Sequence, residues 1–399
     1  MKTWVNSNAS LLCVTARVLN EAYFFVPYTA VYGLAIGLSV SELIFAEAVF
    51  AAVLVVADIP LGHLADKVGE KFCVVTGTIV HGTALLLIGL VHSPELFVML
   101  QPVIAFGLSF CMGADSSLQR KLAMRRSGRN RFELWEQRFQ TSRLVVTALC
   151  FALASVLAKF SPSLTFIATA LSMYVAAGVF LVLPTPPSSA TALSSAADQH
   201  RSQELSTLTG RVQLLLKGLR RSPGLGRDVA AMVLAGTTFS LLLYLIPLFY
   251  EASGVPTQWI GGVAAVVLLA SSLCTALLFR GNAGLTLPLL ATGICCFLLP
   301  MDVLAIALAG GLLANVSQAV AMPKFRTRIV DELSSLGEST ALSLVTTARN
   351  VGFALLAPLL GVLTAVIGEA GLAAVSGALI VVGVALATPS LVRVGSDSH

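Results

Sequence analysis

Twelve stretches of about twenty predominantly apolar residues recur along the 399-residue chain, and that repetition decides the solvent in which it can fold. They cover residues 10–36, 42–61, 72–92, 95–118, 136–158, 163–183, 228–250, 257–279, 284–300, 303–322, 339–366 and 370–391. Only 11% of the residues are charged and 56% are hydrophobic, against about 25% and 45–50% in soluble domains. So little charge cannot cover a water-facing surface, which excludes a soluble enzyme, a nucleic-acid binder and a disordered chain. The stretches are rich in Ala, Leu, Val and Gly and lack the alternation of barrel strands, so each is expected to span a bilayer as a helix. The expected fold class is an all-α membrane protein of twelve transmembrane helices. Links such as His92-Ser93-Pro94, Ser161-Pro162-Ser163 and Gly368-Glu369-Ala370-Gly371 are turn-like, and spans nine and ten part only around Pro300-Met301-Asp302. Met1–Asn8 lacks the basic cluster of a cleaved signal peptide.

Basic residues set the expected orientation. With a cytoplasmic N-terminus, the cytoplasmic links hold Lys67 and Lys71; Arg120, Lys121, Arg125, Arg126, Arg129 and Arg131; Arg201, Arg211, Lys217, Arg220, Arg221 and Arg227; and Lys324, Arg326 and Arg328. The opposite side has Lys159 beside Glu42, Glu95, Glu251, Asp302 and Glu369. This asymmetry follows the positive-inside rule and places both termini in the cytoplasm. The bases of Arg120–Arg131 serve topology, with no aromatic stacking pattern for nucleic acid.

The chain divides into an N-terminal six-helix bundle (1–183), a cytoplasmic linker (184–227) and a C-terminal six-helix bundle (228–399). The linker opens with Pro184-Thr185-Pro186-Pro187-Ser188-Ser189, a flexible tether. Further on, Leu208, Val212, Leu215, Leu216 and Leu219 alternate at helical spacing with Arg211, Lys217, Arg220 and Arg221, the pattern of a short amphipathic helix on the anionic inner leaflet. All seven cysteines fall inside spans without metal-ligand spacing and read as small packing residues.

The link between spans two and three reads Gly62-His63-Leu64-Ala65-Asp66-Lys67-Val68-Gly69-Glu70-Lys71. It resembles the signature loop of the major facilitator superfamily, G-x-L-a-D-r-x-G-r-k, in its usual place. The six-plus-six layout fits that family over essentially the whole chain. Gly62 allows close helix approach, and Gly69 permits a turn that other residues resist. The resemblance implies that Asp66 helps latch the two halves on the cytoplasmic side, with Arg120 as a candidate partner. Glu70 departs from the pattern, standing where the family usually has a base. Asp58-Ile59-Pro60-Leu61-Gly62 adds a likeness to bacterial members with an acid-x-Pro-x-Gly lead, many of which are exporters or uncharacterised. Two marks of drug antiporters differ: Gln101 stands where proton antiporters often place Arg, and span five (Arg143–Ala158) has neither the Gly nor the Pro of their motif.

Ionisable groups inside spans are costly and point to function. Arg17, Glu21, Phe24 and Tyr28 fall on one stripe of a continuous first helix, either lining a substrate cavity or, for Arg17 and Glu21, neutralising each other. Glu21 is the leading proton-coupling or cation-recognition residue. Glu47 lies about two turns from the outer end of span two, suited to protonation, pairing or the outer gate. Asp58 and Asp115 sit near the inner ends of spans two and four, suited to gating pairs with Arg120 or Arg143. Arg349 is the one strong charge deep in the second half, able to bind an anion or pair with an acid such as Glu21. His81 reads as a packing residue able to titrate, and Gln101, Asn315 and Gln318 as polar cavity or helix contacts.

No phosphate loop, HExxH or paired hydrolytic acids appear, so the chain is expected to be no enzyme and to need no cofactor or metal. The expectation is a monomeric secondary active transporter in a bacterial inner membrane. It exports a small amphiphilic molecule (a metabolite, antibiotic or siderophore-like compound) by alternating access, with protons as the coupling ion. The alternatives are proton-symport uptake of a small organic acid through Arg349 and Arg17, and a non-transporting membrane scaffold on the same fold.

Overall fold

The computed structural model describes residues 2–127, 129–185, 210, 213, 223–278, 286–333 and 338–396, and among these there is no strand. The first half contains α1 (Lys2–Asn20), α2 (Thr29–Ala35), α3 (Val40–Val68), α4 (Glu70–Leu90), α5 (Pro94–Cys111), α6 (Ala114–Ser127), α7 (Arg129–Ala158) and α8 (Ser163–Val182). The second contains α9 (Pro223–Ala252), α10 (Ile260–Leu278), α11 (Thr286–Leu298), α12 (Leu304–Glu332) and α13 (Glu338–Ser396). Except for Gly210 and Gln213, the expected amphipathic helix lies outside the described residues.

Nine of the described stretches are long and apolar enough to cross a membrane. One, Leu344–Ala387, is folded in two at Gly368, whose φ of 70° and ψ of −175° belong to no helix. The stretch Thr286–Met301 is shorter, and the first span is interrupted, so the helices supply twelve crossings. Several reach past the apolar windows. α12 runs on to Glu332 and α7 begins at Arg129, because polar residues beyond the hydrocarbon still complete helical hydrogen bonds.

Local sequence explains the starts and stops. Ser39 and Glu42 form a reciprocal capping box at the head of α3, with Glu42 Oε2 accepting from the Ser39 amide at 2.8 Å and the Glu42 amide donating to Ser39 Oγ at 3.2 Å. Ser93 caps α5 by accepting from the Leu96 amide, with Pro94 at the first helical position. Span four is divided between α5 and α6 at Gly113, whose φ is 80°. The Lys71 ammonium donates to the carbonyls of Leu181 (2.7 Å) and Leu183 (2.6 Å), placing a cation on the negative end of α8.

The helices assemble into two compact units. The first comprises the described parts of Met1–Tyr28 and Val53–Ser206, the second those of Thr29–Ala52 and Thr207–His399. In the first, α4 lies between α5 and α8. Lipid tails are as apolar as leucine, so close backbone approach rather than burial drives this association. A Cβ on Gly77 would stand 2.5 Å from the Gly107 carbonyl, and one on Gly107 would stand 2.7 Å from the His81 amide nitrogen. Cys13, Val74, Leu118 and Phe180 fill its core. In the second unit, α9 packs on α12 and α13 around Met232, Phe239, Phe325 and Leu344. The segment Thr29–Ala52 is part of this unit, with the Ser41 hydroxyl donating to the Gly361 carbonyl at 2.6 Å. Helix α3 therefore begins in one unit and ends in the other.

Candidate functional site

The first span is not one helix. α1 ends at Asn20, residues 21–25 are irregular, and a single 3₁₀ turn (Val26–Tyr28) leads into α2. Pro27 brings no N–H for the Tyr23 carbonyl, so a continuous helix would lose a bond there. The freed backbone groups are satisfied by α8: Thr169 Oγ1 accepts from the Phe24 amide at 3.0 Å, and the Ser172 hydroxyl donates to the Leu19 carbonyl at 2.8 Å. Irregular backbone at membrane depth is tolerated only where protein or a polar cavity surrounds it. The expected stripe Arg17–Glu21–Phe24–Tyr28 is consequently dissolved, because its spacing presumed an unbroken helix. Tyr28 is fully buried, its hydroxyl 3.4 Å from Ser155 Oγ.

Arg17 and Glu21 do not pair with each other. The Arg17 guanidinium, 4% exposed, donates from Nε to Asp115 Oδ2 at 2.7 Å and from Nη1 to Glu136 Oε2 at 2.7 Å. It also lies 3.8 Å above the Phe139 ring. This occupies both edges and one face of the guanidinium, so the expectation of Arg17 as an anion contact does not hold. Asp115 pairs with Arg17 rather than with Arg120 or Arg143. Glu21 instead faces Arg143, at 3.5 Å and with both side chains partly exposed.

These five groups act on one another electrostatically. With all five ionised, three carboxylates meet two guanidinia, a formal excess of one negative charge among them beside the break in span one. Close by, the His81 and Tyr23 rings are tilted against each other with centroids 6.1 Å apart, and His81 Nε2, Asn20 Oδ1 and Arg143 Nε are buried without a hydrogen-bond partner among the described residues. Gln101 is buried on α5. Sequence reasoning missed Glu136 and Phe139. Their signal was present: Glu136, Phe139 and Arg143 recur at i, i+3 and i+7 on one face of α7, at the very start of the window 136–158.

At the signature link, Gly69 turns the chain at φ 95° into α4. Asp58, Gly62 and Asp66 lie on α3, and their side-chain surroundings are outside the described residues. Arg120 is exposed. Its neighbour Lys121 forms the ion pair instead, with Glu70, which also accepts from the Ser117 hydroxyl at 3.2 Å. The residue that departs from the family pattern thus carries a charge-reversed link between α4 and α6.

In the second unit, the Tyr244 hydroxyl on α9 donates to Glu47 Oε2 on α3 at 2.5 Å. Arg349 is exposed on α13 and bonds to the Asn350 side chain at 3.3 Å, with no carboxylate partner among the described residues. Among the described residues, no group of three or more His, Cys, Asp or Glu is placed to hold a metal.

Paired buried charges, a broken first span and twelve apolar crossings define a polytopic membrane protein with a polar interior. The sequence matches the model of the Major Facilitator Superfamily over residues 11–337, and the chain belongs to that family. No curated protein matches it. Among solved structures, a mutant of the nucleoside transporter NupG superposes with a TM-score of 0.77 at 11% identity, covering 95% of this chain and 99% of that one. A POT family transporter in complex with 5-aminolevulinic acid gives 0.67 at 10% identity, over 96% and 95%. At such identity the likeness is one of fold. The chain has the fold of these membrane transporters.

Proposed function

We propose that the protein is a proton-coupled secondary transporter that exports a small amphiphilic molecule carrying a cationic group, working as a monomer in a bacterial inner membrane with both termini cytoplasmic. The observation that carries this reading is the unmatched carboxylate at the break in span one. A net negative charge inside a bilayer must be met by a proton or by another cation. Glu21 is the member free to exchange its partner, since Arg17 is saturated by Asp115 and Glu136 while the Glu21–Arg143 pair is long and partly exposed. Proton and substrate then compete for one carboxylate, and competition for one site is what antiport requires. Occupancy by either relieves the excess charge and lets the halves rock. Asp58, Gly62, Asp66, Gly69 and Arg120 would serve the cytoplasmic closure, as the signature loop implies.

The test compares metabolites inside and outside cells that carry the gene, lack it, or carry Glu21→Gln. A cationic amphiphile retained inside both the deletion and the Glu21→Gln strain is the expected result. Arg349, a cation without a carboxylate partner among the described residues, favours a second reading, uptake of a small organic acid. A compound left in the medium by the deletion strain and by an Arg349→Gln strain establishes that reading instead. No difference under any growth condition, with Glu21→Gln and Asp66→Asn both silent, points to a non-transporting scaffold.

A further inference from the structure

The Glu47–Tyr244 bond has no part in the charge cluster described above, and it sits where the chain changes unit. Residues 29–52 belong with α9–α13, whereas α3 continues from Val53 into the unit that holds Arg17 and Glu21. A 29-residue helix shared in this way cannot follow both partners through a transport cycle. Bending it would break backbone bonds in hydrocarbon, where no water replaces them. Releasing its first half breaks contacts to the neighbouring helices and leaves its own backbone bonds intact. Beside the packing of Ile44 near Gly361, those contacts include two hydrogen bonds, the Ser41 hydroxyl on the Gly361 carbonyl and the Tyr244 hydroxyl on Glu47.

Of these two bonds, one can be switched. A phenol donating to an ionised carboxylate makes a charge-assisted bond, about twice as strong as the neutral pair left after protonation. Besides Glu47 and Tyr244, the ionisable groups on the elements packed here are Tyr32 on α2, Glu42 in the first half of α3, Arg227, Asp228, Tyr250 and Glu251 on α9, and Glu338, Arg349, Glu369 and Arg393 on α13. The hydrogen bond that acts on Glu47 is the one from Tyr244. Glu42 is engaged with Ser39, and Glu251 with Thr257.

We propose that Glu47 and Tyr244 form a proton-released latch that holds the first half of α3 on α9, with Tyr244 as a positioning residue that keeps the Glu47 carboxylate in place. Protons arriving from the side opposite the basic links neutralise Glu47, weaken the bond and free α3. The proposal rests on transport by alternating access but not on the cargo. It is therefore tested without substrate.

Spin labels are placed at Phe45 and Leu243, exposed positions beside the two latch residues, in the full-length protein in nanodiscs. Distance distributions are recorded from acid to alkaline pH. A longer component is expected to grow on acidification, with the open-to-closed ratio changing roughly tenfold. Glu47→Gln, which fixes the neutral state, is expected to show that component at every pH. Tyr244→Phe is expected to flatten the pH response while folding normally, which covers the case in which Glu47→Gln fails to assemble. A pH-independent distribution shared by the unmutated latch and Tyr244→Phe overturns the latch. A pH response that persists unchanged in Tyr244→Phe assigns the proton to another group and also overturns it.

Discussion

Replacing Arg17 with Gln removes the cation that two carboxylates share. Breaking a buried ion pair by deleting one partner costs about 3–5 kcal/mol, because the remaining charge is stranded. Asp115 and Glu136 keep 19% and 29% side-chain exposure, so partial hydration or protonation brings that cost to the lower end, about 3 kcal/mol. Loss of the guanidinium from the face of Phe139 at 3.8 Å adds about 1 kcal/mol. Arg17→Gln should therefore lower the melting temperature in detergent strongly. Asp115→Asn alone should do less, since Arg17 retains Glu136 at 2.7 Å. The decisive measurement is the combination. In the Arg17→Gln background, Asp115→Asn together with Glu136→Gln removes the stranded charges and should raise the melting temperature rather than lower it further. Contacting residues in one network are expected to be non-additive in this sense. Additive losses across the set, or an Arg17→Gln protein that melts with the wild type, would refute the view of Arg17 as the centre of a load-balanced cluster.

Three further expectations test the framework. Lys121→Glu should weaken the α4–α6 link and the exchanged pair Glu70→Lys with Lys121→Glu should restore it. The partly exposed pair limits the effect to about 1 kcal/mol, read as melting temperature and transport rate. Gly77→Ala drives a Cβ to 2.5 Å from the Gly107 carbonyl and should cost about 1–3 kcal/mol by overpacking, seen as loss of the monodisperse peak in size-exclusion chromatography. Gly368→Ala meets open space but must adopt φ 70° and ψ −175°, a region that only glycine visits freely, so about 1–3 kcal/mol of strain should appear as a lower melting temperature.

What the sequence made legible was whatever the bilayer imposes one residue at a time. Each crossing requires its own apolar length, so the spans could be counted, and the ninth is separated from the tenth by a 3₁₀ turn (Leu299–Met301) followed by Asp302 at φ 53°. The signature loop was readable because Gly69 and its neighbours act within a few residues of one another. Pairings between spans were not. Arg17 meets groups 98 and 119 residues away, and Glu47 meets one 197 residues away. No periodicity encodes which helix stands opposite. The choice between Arg120 and Lys121 shows how finely this turns. One residue is about 100° around a helix, which leaves Arg120 exposed and brings Lys121 to Glu70. The break after Asn20 hid behind an apolar window, because composition reports that a segment belongs in the membrane and not whether it stays helical there.

The first fifty residues carry both acids to which a proton is assigned, and the unit boundary at Tyr28–Thr29 separates them. Glu21 answers to the charges of Arg143, Asp115 and Arg17, whereas Glu47 accepts a bond from one phenol on α9. Coupling of movement to protons needs both kinds of group. A site that only exchanged proton for cation would bind without moving, and a latch that only sensed protons would move without cargo. The two roles predict opposite signatures from one pair of variants. Glu21→Gln should abolish competition between cargo and protons while leaving the pH response of the 45–243 label distance intact. Glu47→Gln should flatten that response while cargo still binds and is still displaced by acid. Were both variants to lose both properties, the two acids would have to be parts of one titrating unit, and the separation of binding from release would fail.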